Sequence, residues 1–584
     1  MFQAPQARRS VTFYLLVPLI VFLLKAVILM RGGAIYGRLA MPPVYDDVSY
    51  FVDALERMRI FLDQGLSGLL RNLISSPPHA PYSTIAALLA FLFGGPYLAG
   101  PYYMNAVSMA VLTGMLFWLF RVASLSTVCI TLLIVSLPWF DNSVTIFHPD
   151  FVAGFAAAIM AAVFIWQDEI VRTRTDSVMI GVAAGIILLI KPTAFVMVFG
   201  LWGLAALIGG LLTWRREDAR RAVLDRLLFG ALPILVIAGP YYLFELPGVL
   251  AYIHQGWVRE RETWIPDLLH LDKMFYVNTA AANFLYWFWI GAVGSIGIVA
   301  AGALCGDRKT AFRFLGLIFV TLVAYIVPTS IEFKHFHWGG VFYGCIAICL
   351  VLMLHFWLDR FEPTQPVSRL WQWPIVQFGH WPVRLISLAL LAVVAMASLG
   401  DRQGRFNATH QQATQIEYDG VFEILRKVYR QRLTDRTARA QRVLVYVPTP
   451  APVSPHAYRF RGLLEGIDID IAMSPHDNDL QVLTTVASQA TVVIIPDEQQ
   501  VKAIYPYPVN KLFPAFRTWL CQSQKFMHVK TIRTDLGGAD IFVDGSVTSV
   551  LGPAQEGELV SDLGSRSEAR LPIRSFPNLP PCVR

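Results

Sequence analysis

The chain has 584 residues, with 48 Lys and Arg against 41 Asp and Glu, a formal charge of +7 and only 15% charged residues, where an average soluble domain has roughly 25%. A hydrophobic share of 55% and a mean hydropathy of +0.51 exceed what a soluble protein of this length can hide, so a soluble enzyme, a disordered chain and a collagen-like chain are excluded. Six scattered cysteines without a CxxC pair exclude a zinc, haem or disulfide framework, and the modest positive charge does not argue for nucleic acid, because Lys and Arg of membrane proteins collect in cytoplasmic loops.

A bilayer core of ~30 Å is crossed by about 20 apolar helical residues. Runs of this kind, bounded by charge, Pro or Gly, fall at 11–30, 103–120, 123–139, 150–167, 177–191, 193–213, 226–245, 284–304, 312–328, 339–358 and 384–400, which predicts about eleven transmembrane helices. The first run ends in Met30-Arg31-Gly32 without a small-residue cleavage site, so it is not a cleavable signal peptide. Arg8, Arg9, Arg121, Arg172, Arg174, the Arg215 to Arg226 cluster, Arg308, Lys309, Arg313 and Arg360 then share one side. This bias predicts a cytoplasmic N-terminus and, with an odd number of spans, a periplasmic C-terminal region. The stretch 82–94 is predicted to be a half-inserted or surface helix, since a span there would turn Arg121 outward. Lys25, near the outer end of the first span, reads as a snorkelling side chain.

The outer loops 31–81 and 246–283 are long, and 140–149 and 329–338 are short. Phe51, Leu55, Met58, Leu62, Leu66, Leu69 and Leu73 recur at helical spacing and predict one apolar face of a helix lying along the membrane interface. Beyond 401 the composition shifts. Residues 416–431 and 508–522 read as helices and 442–448 and 490–496 as buried strands, giving a small α/β domain over 401–545, followed by a Pro/Gly/Ser-rich tail, 546–584. The fold class is thus an all-α polytopic membrane domain, 1–400, followed by a small α/β extracytoplasmic domain. No internal repeat is visible.

Chemistry concentrates at the outer ends of the spans. Asp46 and Asp47, adjacent in Tyr45-Asp46-Asp47-Val48-Ser49-Tyr50, repel each other, which suits one of them to act as a general base. Capping of the following helix is an equally good reading of either. His148-Pro149-Asp150 opens an apolar run, where Asp at a helix start is ordinary, yet charge re-entering a bilayer is costly unless it faces a cavity. Lys191, in Lys191-Pro192-Thr193 between two spans, Lys334, His335 and His337, crowded with Glu332 before the tenth span, and Arg259 and Arg261 in the long loop could receive a phosphate leaving group or merely anchor helix ends. Cys345 and Cys349 read as packing, and Cys521 and Cys582 could form a disulfide in an oxidising compartment. A divalent cation at Asp46 and Asp47 stays open.

The order of these features resembles the GT-C glycosyltransferases, and in pattern the protein O-mannosyltransferases and bacterial aminoarabinose transferases. The resemblance rests on Asp46 and Asp47 in a long first outer loop, the interfacial helix, Ser76-Pro77-Pro78-His79-Ala80-Pro81 before an apolar run, His148-Pro149-Asp150 opening a span, and the Gly-rich span Gly181 to Thr193 ending in Lys-Pro. It covers roughly residues 10–360. Phe333-Lys334-His335-Phe336-His337 stands where members often carry a basic, Tyr-containing turn, but the Tyr is absent. The resemblance implies a multi-pass protein of the bacterial inner membrane that takes a sugar from polyprenyl phosphate, with inversion at the anomeric carbon, to a glycan, lipid or protein acceptor on the periplasmic face. It makes Asp46 or Asp47 the base, has Asp150 position acceptor or sugar, and assigns Lys191, Arg259, Lys334 and His335 to the phosphate. Tyr50, His79, His148 and His337 fall among its substrate-binding positions. A lipid or polysaccharide transporter, or an assembly protein without transferase activity, is the alternative.

Overall fold

Helix-forming apolar runs broken by Pro and Gly build most of the chain. The structure is a computed structural model that describes residues 11–36, 39, 45–122, 124–171, 173–213, 228–254, 272–331, 334, 336–360, 408–434, 442–449, 453–496, 507–534 and 537–550. It forms two compact units, residues 1–40 with 49–407, and residues 41–48 with 408–584.

In the first unit, six described helices are long and apolar enough to cross a bilayer. They belong to α1 (Val11–Tyr36), α4 (Ala99–Phe120), α10 (Phe195–Thr213), α14 (Tyr286–Leu304), α15 (Arg308–Ser330) and α16 (Gly340–Arg360). The predicted runs at 123–139 and 226–245 are instead bent pairs: α5 (Ser124–Ser136) with α6 (Pro138–Thr145), turning by 66°, and α11 (Leu228–Ile237) with α12 (Gly239–His254), turning by 64°. Pro138 starts the first bend, because a proline disfavours helical backbone at the residue before it and Leu137 is extended; the second bend falls at Ala238. The runs at 150–167 and 177–191 are the shorter helices α7 (Pro149–Ile165) and α9 (Arg174–Leu188); α8 (Gln167–Ile170) follows α7, and α13 (Phe275–Phe284) precedes α14. The predicted span 384–400 lies outside the described residues.

Two expectations for the first outer loop change. The helix α2 (Tyr45–Ser75) forms, but Gly65 has φ 69, a left-handed conformation that resets the helical phase. Of the predicted stripe, Phe51, Leu55 and Leu69 are buried while Leu62 and Leu66 face outward, so its residues do not share one face. The stretch 82–94 becomes α3 (Pro81–Gly94), whose 14 residues span only ~21 Å, short of a bilayer. Its Ala86, Ala87 and Phe91 are buried.

The second unit carries a five-stranded sheet in the order β2-β1-β3-β5-β4, made of β1 (Val443–Tyr446), β2 (Ile469–Ala472), β3 (Val492–Pro496), β4 (Phe526–Thr534) and β5 (Gly537–Asp544). Strands β2, β1 and β3 run parallel; β5 is antiparallel to β3 and β4 antiparallel to β5. The predicted strands are β1 and β3, and β2, β4 and β5 are additional. Four helices flank the sheet: α17 (Ala408–Thr434), α18 (Pro455–Glu465), α19 (Leu480–Gln489) and α20 (Phe513–Gln522). The Tyr418 hydroxyl donates to the Ala457 carbonyl at 3.1 Å and its ring stacks on Tyr458, joining α17 to α18. Helix α19 packs on α20. The chain moves one way from β1 to β2 and back the other way to β3, so right-handed crossovers put α18 and α19 on opposite faces. Cover on both faces explains why Val492 to Pro496 are buried without alternation. Cys521 is disulfide-bonded; Cys582 lies outside the described residues, as does the tail from 551.

Glu417 of α17 is buried, and burial pushes its carboxyl up to about 7. Because the folded value lies above the unfolded one, the proton stabilises the fold: stability is complete below about pH 4.5 and falls as pH rises through 7, by about 3 kcal/mol in all. Glu417→Gln should remove this dependence. Thermal unfolding of the full chain should show the variant's second unit melting higher than wild type at about pH 8.5 and nearly together with it at about pH 4.5.

Candidate active site

The helix α7 begins with residues suited to a helix start. His148 is extended, Pro149 occupies the first helical position and Asp150 lies in the first turn, where a carboxylate meets the positive end of the helix dipole. The neighbouring helix comes unusually near because both carry glycine at the crossing. A Cβ at Gly154 would overlap the Gly340 carbonyl of α16, and one at Gly340 would sit 2.5 Å from the Asp150 carbonyl oxygen. This approach brings the one-turn segment Phe336–Gly339, which leads into α16, against the start of α7. His337 stacks on His148 with ring centroids 3.8 Å apart and planes 7° from parallel.

A second glycine contact brings in the cation. Gly181 of α9 faces the backbone of Gly230 in α11, and α9 ends just before Lys191. The Lys191 ammonium donates to Asp150 Oδ2 at 3.1 Å, and His148 Nδ1 lies 2.9 Å from the same oxygen. All four of these side chains were singled out in the sequence, and the fold assembles them into one cluster.

Two residues that sequence reasoning missed hold the turns around it. The Tyr242 hydroxyl donates to the Leu188 carbonyl at 3.0 Å and reaches the Pro192 carbonyl at 3.4 Å, on either side of Lys191. The Tyr241 hydroxyl donates to the carbonyls of Pro78 (3.3 Å) and His79 (3.4 Å). The His79 ring lies 4.6 Å from that of Tyr252, also on α12. The signal in the sequence was Gly239-Pro240-Tyr241-Tyr242, a helix start carrying two hydroxyls inside an apolar run. Tyr50 packs edge-on to Phe147, the residue before His148.

Other sequence candidates are placed differently. Lys334 is buried and donates to the carbonyls of Thr329 (2.7 Å), Pro328 (3.4 Å) and Ile331. It caps α15, whose last carbonyls lack intrahelical partners. Lys25 does not snorkel: its ammonium lies 3.6 Å from Asp141 on α6, and both are buried. Asp47 is buried in the first turn of α2 and belongs with the second unit, whereas Asp150 belongs with the first. The Asp46 side chain, Arg259, Arg261, Glu332 and His335 lie outside the described residues. Cys345 and Cys349 are free and buried, as packing residues are. Among the described residues no group of three or more His, Cys, Asp or Glu could hold a metal ion.

The far end of α7 is tied down by charge. Arg313 of α15 donates to Asp168 and Glu169 of α8, each at 2.6 Å, and Lys309 pairs with both. The residues counted for the positive bias and the Asp150 cluster thus mark opposite ends of one helix of 17 residues, about 25 Å apart.

No protein-family model matches the chain, and no curated protein sequence matches it. Solved structures do. The fold is similar to that of ArnT from Cupriavidus metallidurans bound to undecaprenyl phosphate, with a TM-score of 0.52 and 13% identity over 93% of this chain and 99% of that one. It is similar to the apo state of the same protein, at a TM-score of 0.52 and 12% identity over 90% of this chain and 97% of that one. A likeness to an oligosaccharyltransferase from Archaeoglobus fulgidus has a TM-score of 0.46 at 12% identity over 83% of this chain and 70% of that one. The chain thus shares the fold of ArnT, a polytopic helical unit and a small sheet domain.

The glycine crossing predicts a stability difference that activity is not needed to read. Gly340→Ala forces a methyl group against the Asp150 carbonyl and should cost ~1–3 kcal/mol, seen as a lower unfolding temperature in detergent. Gly200→Ala on α10, where nothing lies within 4 Å of the new carbon, should be neutral or slightly stabilising.

Proposed function

We propose that the protein is an integral membrane glycosyltransferase that moves a sugar from a polyprenyl-phosphate donor to an acceptor hydroxyl at the periplasmic face of a bacterial inner membrane. The observation that carries this reading is the Lys191, Asp150, His148 and His337 cluster at one end of α7, in a fold similar to ArnT, a protein solved with undecaprenyl phosphate. The orientation is supported by the basic residues at the opposite end of α7 and by the disulfide at Cys521 in the second unit, which suits an oxidising compartment.

In this mechanism a carboxylate base, the role that the sequence resemblance gives to Asp46 or Asp47, takes the proton of the acceptor hydroxyl as its oxygen attacks the anomeric carbon from the face opposite the leaving group. The bond from that carbon to the phosphate oxygen breaks, the oxygen keeps the electron pair, and the sugar is inverted. Lys191 meets the phosphate charge. In the structure its partner is Asp150, so an arriving phosphate competes with that carboxylate for the ammonium and leaves Asp150 to accept hydrogen bonds from sugar or acceptor hydroxyls. His148 and His337 hold the cluster in register. His79 borders the same region on the turn held by Tyr241, and Tyr50 backs it through Phe147.

The test is transfer in proteoliposomes containing polyprenyl-phosphate hexoses and pentoses, read as release of polyprenyl phosphate. Asp47→Asn should lower turnover by ~10²- to 10⁴-fold if it is the base. Lys191→Ala should remove donor affinity or turnover, and Lys191→Arg should recover only part, because a guanidinium presents its donors in another geometry. Unfolding temperatures should change little in Asp47→Asn and Lys191→Arg, whereas Lys191→Ala leaves the Asp150 carboxylate unpaired and should lower the unfolding temperature. Full turnover in Lys191→Ala would withdraw the phosphate assignment, and turnover by no donor of this class would withdraw the function.

A further inference from the structure

Lys191 and His148 converge on one oxygen of Asp150, at 3.1 and 2.9 Å. An ionised carboxylate only accepts hydrogen bonds, so His148 Nδ1 carries the hydrogen of that contact, and a further proton on this ring goes to Nε2. His148 stands at the N-cap of α7 without capping it, a place that Ser, Thr, Asp or Asn fills when capping is the need. The side chains of His148, Asp150 and Lys191 are only 8%, 13% and 19% exposed, so charges in the cluster are balanced by one another more than by water. With the ammonium against the carboxylate and both imidazoles neutral, the cluster carries no net charge.

A donor in which sugar and polyprenol share one phosphate is a diester with a single negative charge. Once that charge engages the ammonium, the cluster sets one cation against two anions in a poorly solvated place, which is costly. A proton on His148 restores the balance and turns its existing contact with Asp150 into a charge-assisted one. The ring of His337, stacked on His148 at 3.8 Å and 7° from parallel, offers an aromatic face to one cation, whereas two imidazolium rings at that separation repel each other. The pair therefore takes one proton and not two. Asp150 on α7, Lys191 after α9 and His337 before α16 face the His148 ring. On the elements packed around them, Tyr50 of α2 meets Phe147, Tyr276 of α13 and Tyr343 of α16 lie against Gly339, and Lys25 of α1 pairs with Asp141 of α6. We infer that His148 takes up a proton from solvent when a polyprenyl phosphodiester engages Lys191, so that donor binding and proton uptake are one event. The inference rests on the reading of Lys191 as the phosphate's partner and makes His148 a charge-balancing residue of that site.

Titration calorimetry of the full chain in nonionic detergent, with empty micelles as the blank, tests this with geranyl methyl phosphate. This diester keeps its single charge throughout the neutral range, so any proton taken up goes to the protein. Titrations in buffers of different ionisation enthalpy, at about pH 7.5 where an ordinary imidazole is mostly neutral, count the protons bound with the probe. About one is expected, and the Kd should rise toward tenfold per pH unit above about pH 7.5. His148→Asn keeps an N–H for Asp150 but cannot take the proton, so uptake should vanish and the Kd should become weaker and independent of pH. His337→Phe keeps the stacked face, and uptake should persist. Should His148→Asn unfold, NMR of isotope-labelled histidine rings in His337→Phe reads the same event, as an imidazolium signal that appears with the probe. Binding at Lys191 without proton uptake, uptake that survives His148→Asn, or no new imidazolium signal overturns the inference and leaves the phosphate assignment standing. A probe that does not bind, or that binds Lys191→Ala as tightly as wild type, overturns that assignment and the inference with it.

Discussion

The crossing of α7 and α16 at Gly154 and Gly340 governs the geometry of the candidate site. Without side chains between them, the two backbones approach until a methyl group would no longer fit. In a bilayer, where lipid competes for every apolar contact, small residues are what allow helices to pack this tightly. The consequence is chemical: the turn before α16 lies beside the turn before α7, and two imidazole rings that are distant in sequence stack face to face. A bulkier pair at the crossing would leave the same residues on the same helices, but apart.

Polar groups inside the membrane unit follow a single logic. Charge in a low-dielectric region is costly unless it is paired or hydrogen-bonded, and several of the unit's pairs join different elements. Lys191 reaches Asp150 from α9 to α7, Lys25 reaches Asp141 from α1 to α6, and Arg313 reaches Asp168 and Glu169 from α15 to α8. Asn142 donates to Asn283 at 2.7 Å and Asn105 to the Ser143 carbonyl at 3.1 Å, so α6, just before His148, is held from three directions. Such tethers fix the short connection on which the placement of His148 and Asp150 depends.

The second unit obeys different physics, since its sheet is wound by crossovers whose hand is set by backbone chirality. Reversal of strand order is a topological fact that no local pattern announces. Hydrophobic periodicity marked β1 and β3 because both are buried on both faces. It missed the edge strands β2 and β4, which carry charged residues such as Asp470, Lys530 and Arg533, and also β5, an interior strand buried over Ala539 to Val543.

By itself the sequence determined that the chain is a multi-pass membrane protein with an α/β domain, because about 20 apolar residues per span and the switch in composition near 401 are local properties of the chain. It also named His148, Asp150, Lys191 and His337 as candidates, since charge and imidazole at the ends of apolar runs are visible without coordinates. What only the tertiary structure decided is which of them meet. Lys191 and Lys334 are both lysines beside spans; the first faces a carboxylate because Gly181 lets α9 pack on α11 and Tyr242 holds its turn, and the second caps the open end of α15. The phase reset at Gly65 likewise splits an apolar stripe that looks continuous in the sequence. Helix contacts, caps and backbone handedness depend on what lies across the structure, and spacing along the chain carries no record of that.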